Sequence, residues 1–225
     1  MPARGGGGTV NAMTDAASRR RFDWRTPVRW LGLACLMGSA FFAGYVAWLL
    51  WGTGIETARA QDTLRPAIER SIEHPKPLDQ APPPGTREIP GSAYAILVIP
   101  SIDINFVVVE GTDYASLKKG PGHYPDTADP WDMAGRVGIA GHRTTYMAPF
   151  FDLDQVAAGD EVRLLTAFGR FDYEVTDVST MPEDEAGVVL DQTDEPTLVL
   201  TTCHPKYGSS QRLIVEANLV SSPLG

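Results

Sequence analysis

Residues 30–51 read WLGLACLMGSAFFAGYVAWLLW, without a single charged side chain. That is about the length a helix needs to cross a hydrocarbon core of about 30 Å. Trp30, Tyr45, Trp48 and Trp51 stand mainly towards its ends, where interfacial aromatics collect. A cleaved leader would carry a shorter apolar core, about 7–15 residues, and then a small-residue cleavage site. This run ends in bulky Trp48-Leu49-Leu50-Trp51, so one uncleaved transmembrane helix is expected over residues 28–51. Further on the pattern shortens to β-branched and apolar runs bounded by Gly and Pro. Residues 94–99, 104–109, Arg136–Ala140, 197–202 and 212–215 read as strands, and 161–167 with 171–178 as a hairpin around Gly169-Arg170. A short strand is expected near Val188-Val189-Leu190, one helical turn at 114–119 and a helical stretch at 150–156. Seven or eight short strands with little helix predict a mainly β protein, an antiparallel or mixed β-barrel.

Composition divides the chain further. Residues 1–27, with four successive glycines and an arginine cluster, are expected to be a disordered tail. Residues 52–91 combine a helix-forming stretch, interrupted near Pro66, with a segment containing Pro75, Pro77, Pro82, Pro83, Pro84 and Pro90. They predict a stalk helix and a semi-rigid linker that hold a folded domain, 92–225, away from the membrane. Six arginines and two aspartates precede or open the apolar run. Positive charge stays inside, so the N-terminus is expected in the cytoplasm and the folded domain outside the cell, on a single-pass anchor. Taking those residues from the 19 basic and 28 acidic of the whole chain leaves 13 and 26. An acidic exported domain offers no basic stripe for phosphates, which argues against a nucleic-acid partner. The surplus reads as solubility charge.

There are two cysteines, Cys35 inside the apolar run and Cys203 in the folded part. Their placement argues against a disulfide. An unpaired exported cysteine is either a small buried hydrophobe or a reactive thiol, and the sequence around Cys203 leaves both open. Thr197-Leu198-Val199-Leu200-Thr201-Thr202-Cys203 is an apolar strand that Pro205 ends, and Arg212 opens the returning strand Leu213-Ile214-Val215. A thiol nucleophile needs a base or cation and oxyanion donors. His142 follows the strand Val137-Gly138-Ile139-Ala140-Gly141 and so stands at a strand end, as Cys203 does; it is either catalytic or structural. His204 adjoins the cysteine but alternation along a strand turns its side chain away, leaving its N–H as a donor. Arg212 reads equally as a surface charge, as a partner of the acidic loop 181–196, or as a planar donor to an oxyanion.

TLVLTTC with an arginine opening the next strand resembles the TLxTC…R signature of sortases, the cysteine transpeptidases of Gram-positive surfaces. Gly138-Ile139-Ala140-Gly141-His142-Arg143-Thr144 is similar to the segment carrying the sortase histidine. The resemblance covers roughly residues 92–220. Val109-Glu110-Gly111-Thr112, Lys119-Gly120-Pro121-Gly122-His123-Tyr124-Pro125 and Cys203-His204-Pro205 look most like class E, the actinobacterial housekeeping type. The resemblance implies an eight-stranded sortase-type barrel with short helices. It implies cleavage of a C-terminal sorting signal (LAxTG or LPxTG) between Thr and Gly through a thioacyl enzyme. The acceptor would be an amine of a lipid-linked peptidoglycan precursor, and the partners surface proteins bearing the signal. Cys203 would be the nucleophile, His142 the general acid and base, and Arg212 the substrate and oxyanion donor. Thr201, Thr202, His204, Tyr124 and His123 are the candidate substrate-binding residues.

No cofactor or metal is expected; Glu183, Asp184 and Glu185 form no EF-hand pattern for calcium. Asp129-Pro130-Trp131 resembles the lid tripeptide of pilin-polymerising class C sortases, but it falls between predicted strands and reads as a loop turn. The alternatives are a class C- or D-like sortase with another acceptor, and a non-catalytic anchored β-domain. With ordinary pKa values near 8.5 for a thiol and 6.5 for an imidazole, a few per cent of thiol is ionised at pH 7.

Overall fold

The computed structural model describes residues 24–48, 52–86, 89–132 and 134–223. Most of the expected tail, residues 1–23, and the end of the expected anchor, Leu49 to Trp51, lie outside them. Helix α1, Arg25–Ala47, has no buried residue. Among the described residues it is the one helix long and apolar enough to cross a membrane. Residues 44–225 form a separate compact unit.

That unit is a closed barrel of eight strands: β1 (Ala93–Ile99), β2 (Ile104–Glu110), β3 (Gly122–His123), β4 (Arg136–Ala140), β5 (Glu161–Thr166), β6 (Gly169–Pro182), β7 (Thr197–His204) and β8 (Gln211–Ser221). Around the barrel the order is β1-β2-β3-β4-β7-β8-β6-β5, closed by the antiparallel pair β1–β5. β5 shows why these sequences make strands: Val162, Leu164 and Thr166 are buried while Glu161, Arg163 and Leu165 are not. A period of two sends alternate side chains to the interior. Leu97, Ile139, Leu198, Leu200, Phe171 and Tyr173 fill the core from several strands. β4 and β7 are parallel, with Ala140 opposite Thr201. Both therefore end at the same rim.

Three predicted elements take another form. Val188-Val189-Leu190 lies in a 3-10 turn, Ala186–Leu190, that packs Val189 against Val199 and Ile214 from outside. Within 150–156 only Leu153–Gln155 is helical, again 3-10. The largest difference is at 52–91. Helix α2, Thr53–Glu73, runs unbroken through Pro66 and docks on the barrel instead of standing free. Ile68 is buried against Ile96 and Val107. The Gln61 carboxamide accepts from Val107 N–H at 2.7 Å and donates to the carbonyls of Val107 (2.9 Å) and Lys119 (2.8 Å). Arg65 donates to the Asn105 carbonyl at 2.9 Å. β3 covers β2 only at Val109 and Glu110, so α2 satisfies the backbone edge that a strand leaves bare. The proline-rich segment also lies on the barrel: Lys76 N–H donates to Ala167 O at 2.7 Å, and Leu78 and Ala81 pack on the core.

Candidate active site

The parallel β4–β7 pairing carries past the strand ends. Gly141 N–H donates to Thr201 O at 3.1 Å, and Thr202 Oγ1 donates to Gly141 O at 2.7 Å. These bonds fix the residue before His142 to the residue before Cys203. A Cβ added at Gly141 would sit 2.5 Å from the Phe150 ring, so only glycine lets that ring close over the turn. His142 and Cys203 then line one open cavity of about 390 Å³ with Arg143, Thr144, Thr145, Tyr207, Gly208 and Ser209. Cys203 is half-buried and is a free thiol, as is Cys35. The His142 Nε2 is buried without a hydrogen-bond partner among the described residues. Its ring lies under that of Tyr146, centroids 4.8 Å apart. Burial lowers the His142 pKa from its ordinary value and so favours neutral imidazole. A thiol and an imidazole on one cavity can attack an acyl carbon and move the proton that leaves or arrives.

Arg143 holds the backbone beneath the thiol. Its side chain is 1 % exposed; Nε donates to Phe151 O at 2.9 Å and Nη1 to Cys203 O at 3.3 Å, while Nη2 pairs with Asp154 at 3.0 Å. Asp154 also meets Lys206 at 3.3 Å. Burial pushes its carboxyl up, but Arg143 and Lys206 outweigh that and hold it below the usual carboxylate range. The sequence offered no sign of this role: a lone arginine among turn residues reads as surface charge. Arg212 sits directly opposite Cys203 in the β7–β8 ladder, as the short turn suggested. Its guanidinium, however, pairs with Glu183 and donates to Ser209 O at 3.1 Å and Gln211 O at 3.2 Å. It is not among the residues lining the cavity. Of the three readings left open for Arg212, this structure displays the pairing with the acidic loop.

The remaining candidates divide. Thr201 and Thr202 are buried, at 5 % and 3 % exposure, so their side chains lock the strand end rather than face a groove. The Tyr124 hydroxyl lies 3.0 Å from Thr201 Oγ1 and is half-buried. His204 does not line the cavity, and its Nδ1 is buried without a partner among the described residues. His123 is a correction: it is an interior residue, 3 % exposed. Its Nδ1 meets Glu110 at 3.0 Å, its Nε2 meets Ala128 O at 3.2 Å, and its ring stacks on Tyr94 at 4.3 Å. A side chain so enclosed cannot line a peptide groove. Beside it the Tyr94 hydroxyl donates to Asp129 at 2.7 Å, and burial, the chief cause, pushes the Asp129 carboxyl up to about 6. Trp131 is buried against Phe168, centroids 4.6 Å apart, and does not cover Cys203. Another open cavity, about 840 Å³, lies between Pro82 to Pro84 and the Trp131 loop and contains none of the candidate residues. No cluster of three or more His, Cys, Asp or Glu suited to a metal occurs among the described residues.

The profile of the sortase domain matches residues 97–220. The chain belongs to the sortase family. Its sortase region is 38% identical over 115 residues to sortase D of Bacillus subtilis, covering 51% of this chain and 56% of that protein. It is 32% identical over 151 residues to sortase E1 of Streptomyces coelicolor, covering 61% of this chain and 43% of that one. The chain thus spans about half the length of the curated relatives it matches. The crystal structure of Streptomyces coelicolor sortase E1 with a tripeptide in its active site superposes with a TM-score of 0.55 at 30% identity, over 60% of this chain and 91% of that one. A Clostridium perfringens sortase D5 transpeptidase reaches 0.58 at 25% identity, over 74% and 99%. The matched sortase segment encloses His142, Cys203 and Arg212 but begins beyond α2.

Proposed function

We propose that the chain is a membrane-anchored cysteine transpeptidase that processes C-terminal sorting signals of the LAxTG or LPxTG kind. The observation that carries this reading is the shared cavity of Cys203 and His142 at one rim of a sortase barrel. The Cys203 thiolate attacks the Thr carbonyl of the signal and a C–S bond forms. The Thr–Gly C–N bond then breaks as His142 gives a proton to the leaving glycine amine. An incoming amine attacks the thioacyl carbon and gives its proton to His142; the new amide forms and the thiolate is regenerated. The acceptor is an amine of a lipid-linked cell-wall precursor. Helix α1 and the arginines before and within it support a single-pass anchor with the barrel outside the cell. His204-Pro205 after the nucleophile supports class E. A class D assignment is the second reading, favoured by the 38% identity to the Bacillus subtilis relative.

Paired fluorogenic LAxTG and LPxTG peptides test both. The chain should cleave at least one of them, with the better substrate separating class preferences. Cys203→Ala should abolish turnover, and His142→Ala should lower it by about 10²–10⁴-fold with the fold intact by circular dichroism. Undiminished cleavage by the Cys203 variant would rule out the thioacyl route.

A further inference from the structure

The loop after His142 is braced by the first turns of α2. Thr53 Oγ1 accepts from Tyr146 N–H at 3.3 Å. Gly54 faces Met147, where an added Cβ would lie 3.6 Å from Cγ. Thr57 Oγ1 donates to Lys118 O at 2.7 Å, and Glu56 pairs with the Lys118 ammonium at 3.6 Å. That ammonium lies 4.6 Å from the Tyr114 ring centroid and 5.8 Å from that of Tyr146. The Tyr114 and Tyr146 hydroxyls share a hydrogen bond at 2.8 Å. Tyr146 completes the series by covering the His142 ring.

The backbone here is unusual as well. Tyr146, Met147 and Ala148 have φ of 55°, 62° and 46°, three successive non-glycine residues in the left-handed region. Such residues persist only where their surroundings over-determine them. Within the loop, Ala148 N–H donates to Thr145 O at 2.8 Å, Phe151 N–H to Ala148 O at 2.9 Å and Phe150 N–H to His142 O at 3.1 Å. Further contacts that hold the turn come from α2 and from the helical turn at Tyr114–Leu117.

We propose that Tyr146 is a positioning residue for His142, and that α2 sets the seat of the imidazole through Thr53 and the Lys118–Tyr114 pair. This rests on reading Cys203 and His142 as the catalytic pair. Among the described residues the His142 Nε2 has no hydrogen-bond partner, so packing has to fix the orientation of the ring. Cys203, Arg143 and Tyr207 are the titratable and charged groups that share its cavity, Tyr146 lies on its ring, and Glu56, Lys118 and Tyr114 stand behind Tyr146. Removing the Tyr146 ring opens His142 to water and loosens it at once. The first change raises its titration midpoint, because burial is what depresses it. The second lowers kcat more than KM.

The test uses the full chain in detergent micelles, with peptide kinetics and an NMR titration of the His142 ring. Tyr146→Ala should lower kcat about ten- to a hundredfold, leave KM within about twofold, and move the His142 midpoint upward. Tyr146→Phe keeps the ring and should restore the midpoint. Thr53→Val touches neither His142 nor Cys203, yet should lower kcat by about three- to tenfold. Wild-type kcat and midpoint in Tyr146→Ala would overturn the proposal. If that variant unfolds, wild-type kcat in Thr53→Val overturns it. A chain that cleaves no sorting peptide while Tyr146→Ala still shifts the midpoint would sink the substrate reading and support the positioning.

Discussion

Across the ladder from Cys203, the Arg212 guanidinium is engaged by Glu183 and by the carbonyls of Ser209 and Gln211. A substrate carbonyl that called on it would compete with an exposed carboxylate at a surface site, where an ion pair contributes about 0–1 kcal/mol. Such a contact is weak enough to yield. Glu183→Gln should therefore raise kcat/KM by a few-fold, about what that energy allows. Arg212→Lys should lower it about tenfold or more, since an ammonium cannot reproduce a planar fork. Steady-state kinetics on the peptide check both, and equal activity in all three proteins would make Arg212 a bystander. At this scale the sequence was informative where chemistry is concentrated in a strand end. Cys203 and His142 stood out because a turn follows each apolar run. Arg143 and Tyr146 did not: what they do depends on how an irregular turn folds them against Phe151 and His142, and on the contact of Arg143 with distant Cys203, none of which a periodic pattern encodes.

Helix α2 shows the same limit in a longer element. Its mixed charges and Pro66 read as a spacer, whereas one glutamine, Gln61, binds both backbone groups of Val107. Val107 is fully buried, so Gln61→Ala leaves its N–H and carbonyl without partners. The cost should be about 2–3 kcal/mol, seen as a lower urea midpoint at unchanged slope; an unaltered midpoint would mean α2 adds little to the barrel. The strands from 94–99, 104–109 and Arg136–Ala140 onward were legible as apolar, β-branched runs, which is how strands buried on both faces read. β3 was not, since Gly122 and His123 carry no apolar signal and pair through backbone groups alone. β6 runs on through Ser179, Thr180, Met181 and Pro182, residues with no strand pattern of their own that pair with the far end of β8. Val188–Leu190 had strand-like composition but found no neighbouring strand to join, so its apolar groups pack from a 3-10 turn.

For the whole molecule, the pH dependence of turnover joins the site to its surroundings. Thiolate and imidazolium titrate in opposite senses, which gives kcat/KM a bell shape. Burial lowers the His142 pKa, so the acid limb should fall below about 6.5, the ordinary imidazole value. A flat profile from pH 6 to 9, or an acid limb above that value, would contradict the assignment. The parallel β4–β7 ladder has one more consequence, and it concerns time. The bond from Thr202 to Gly141 joins residues 61 apart in the chain, with a hairpin and several loops between them. Pairings of such long range close late, after local hairpins have formed. The thiol and its imidazole are therefore strangers until the barrel shuts, and a chain not yet folded carries only an ordinary cysteine. In refolding experiments turnover should trail the recovery of β-structure; simultaneous recovery would mean that the rim assembles with the first strands.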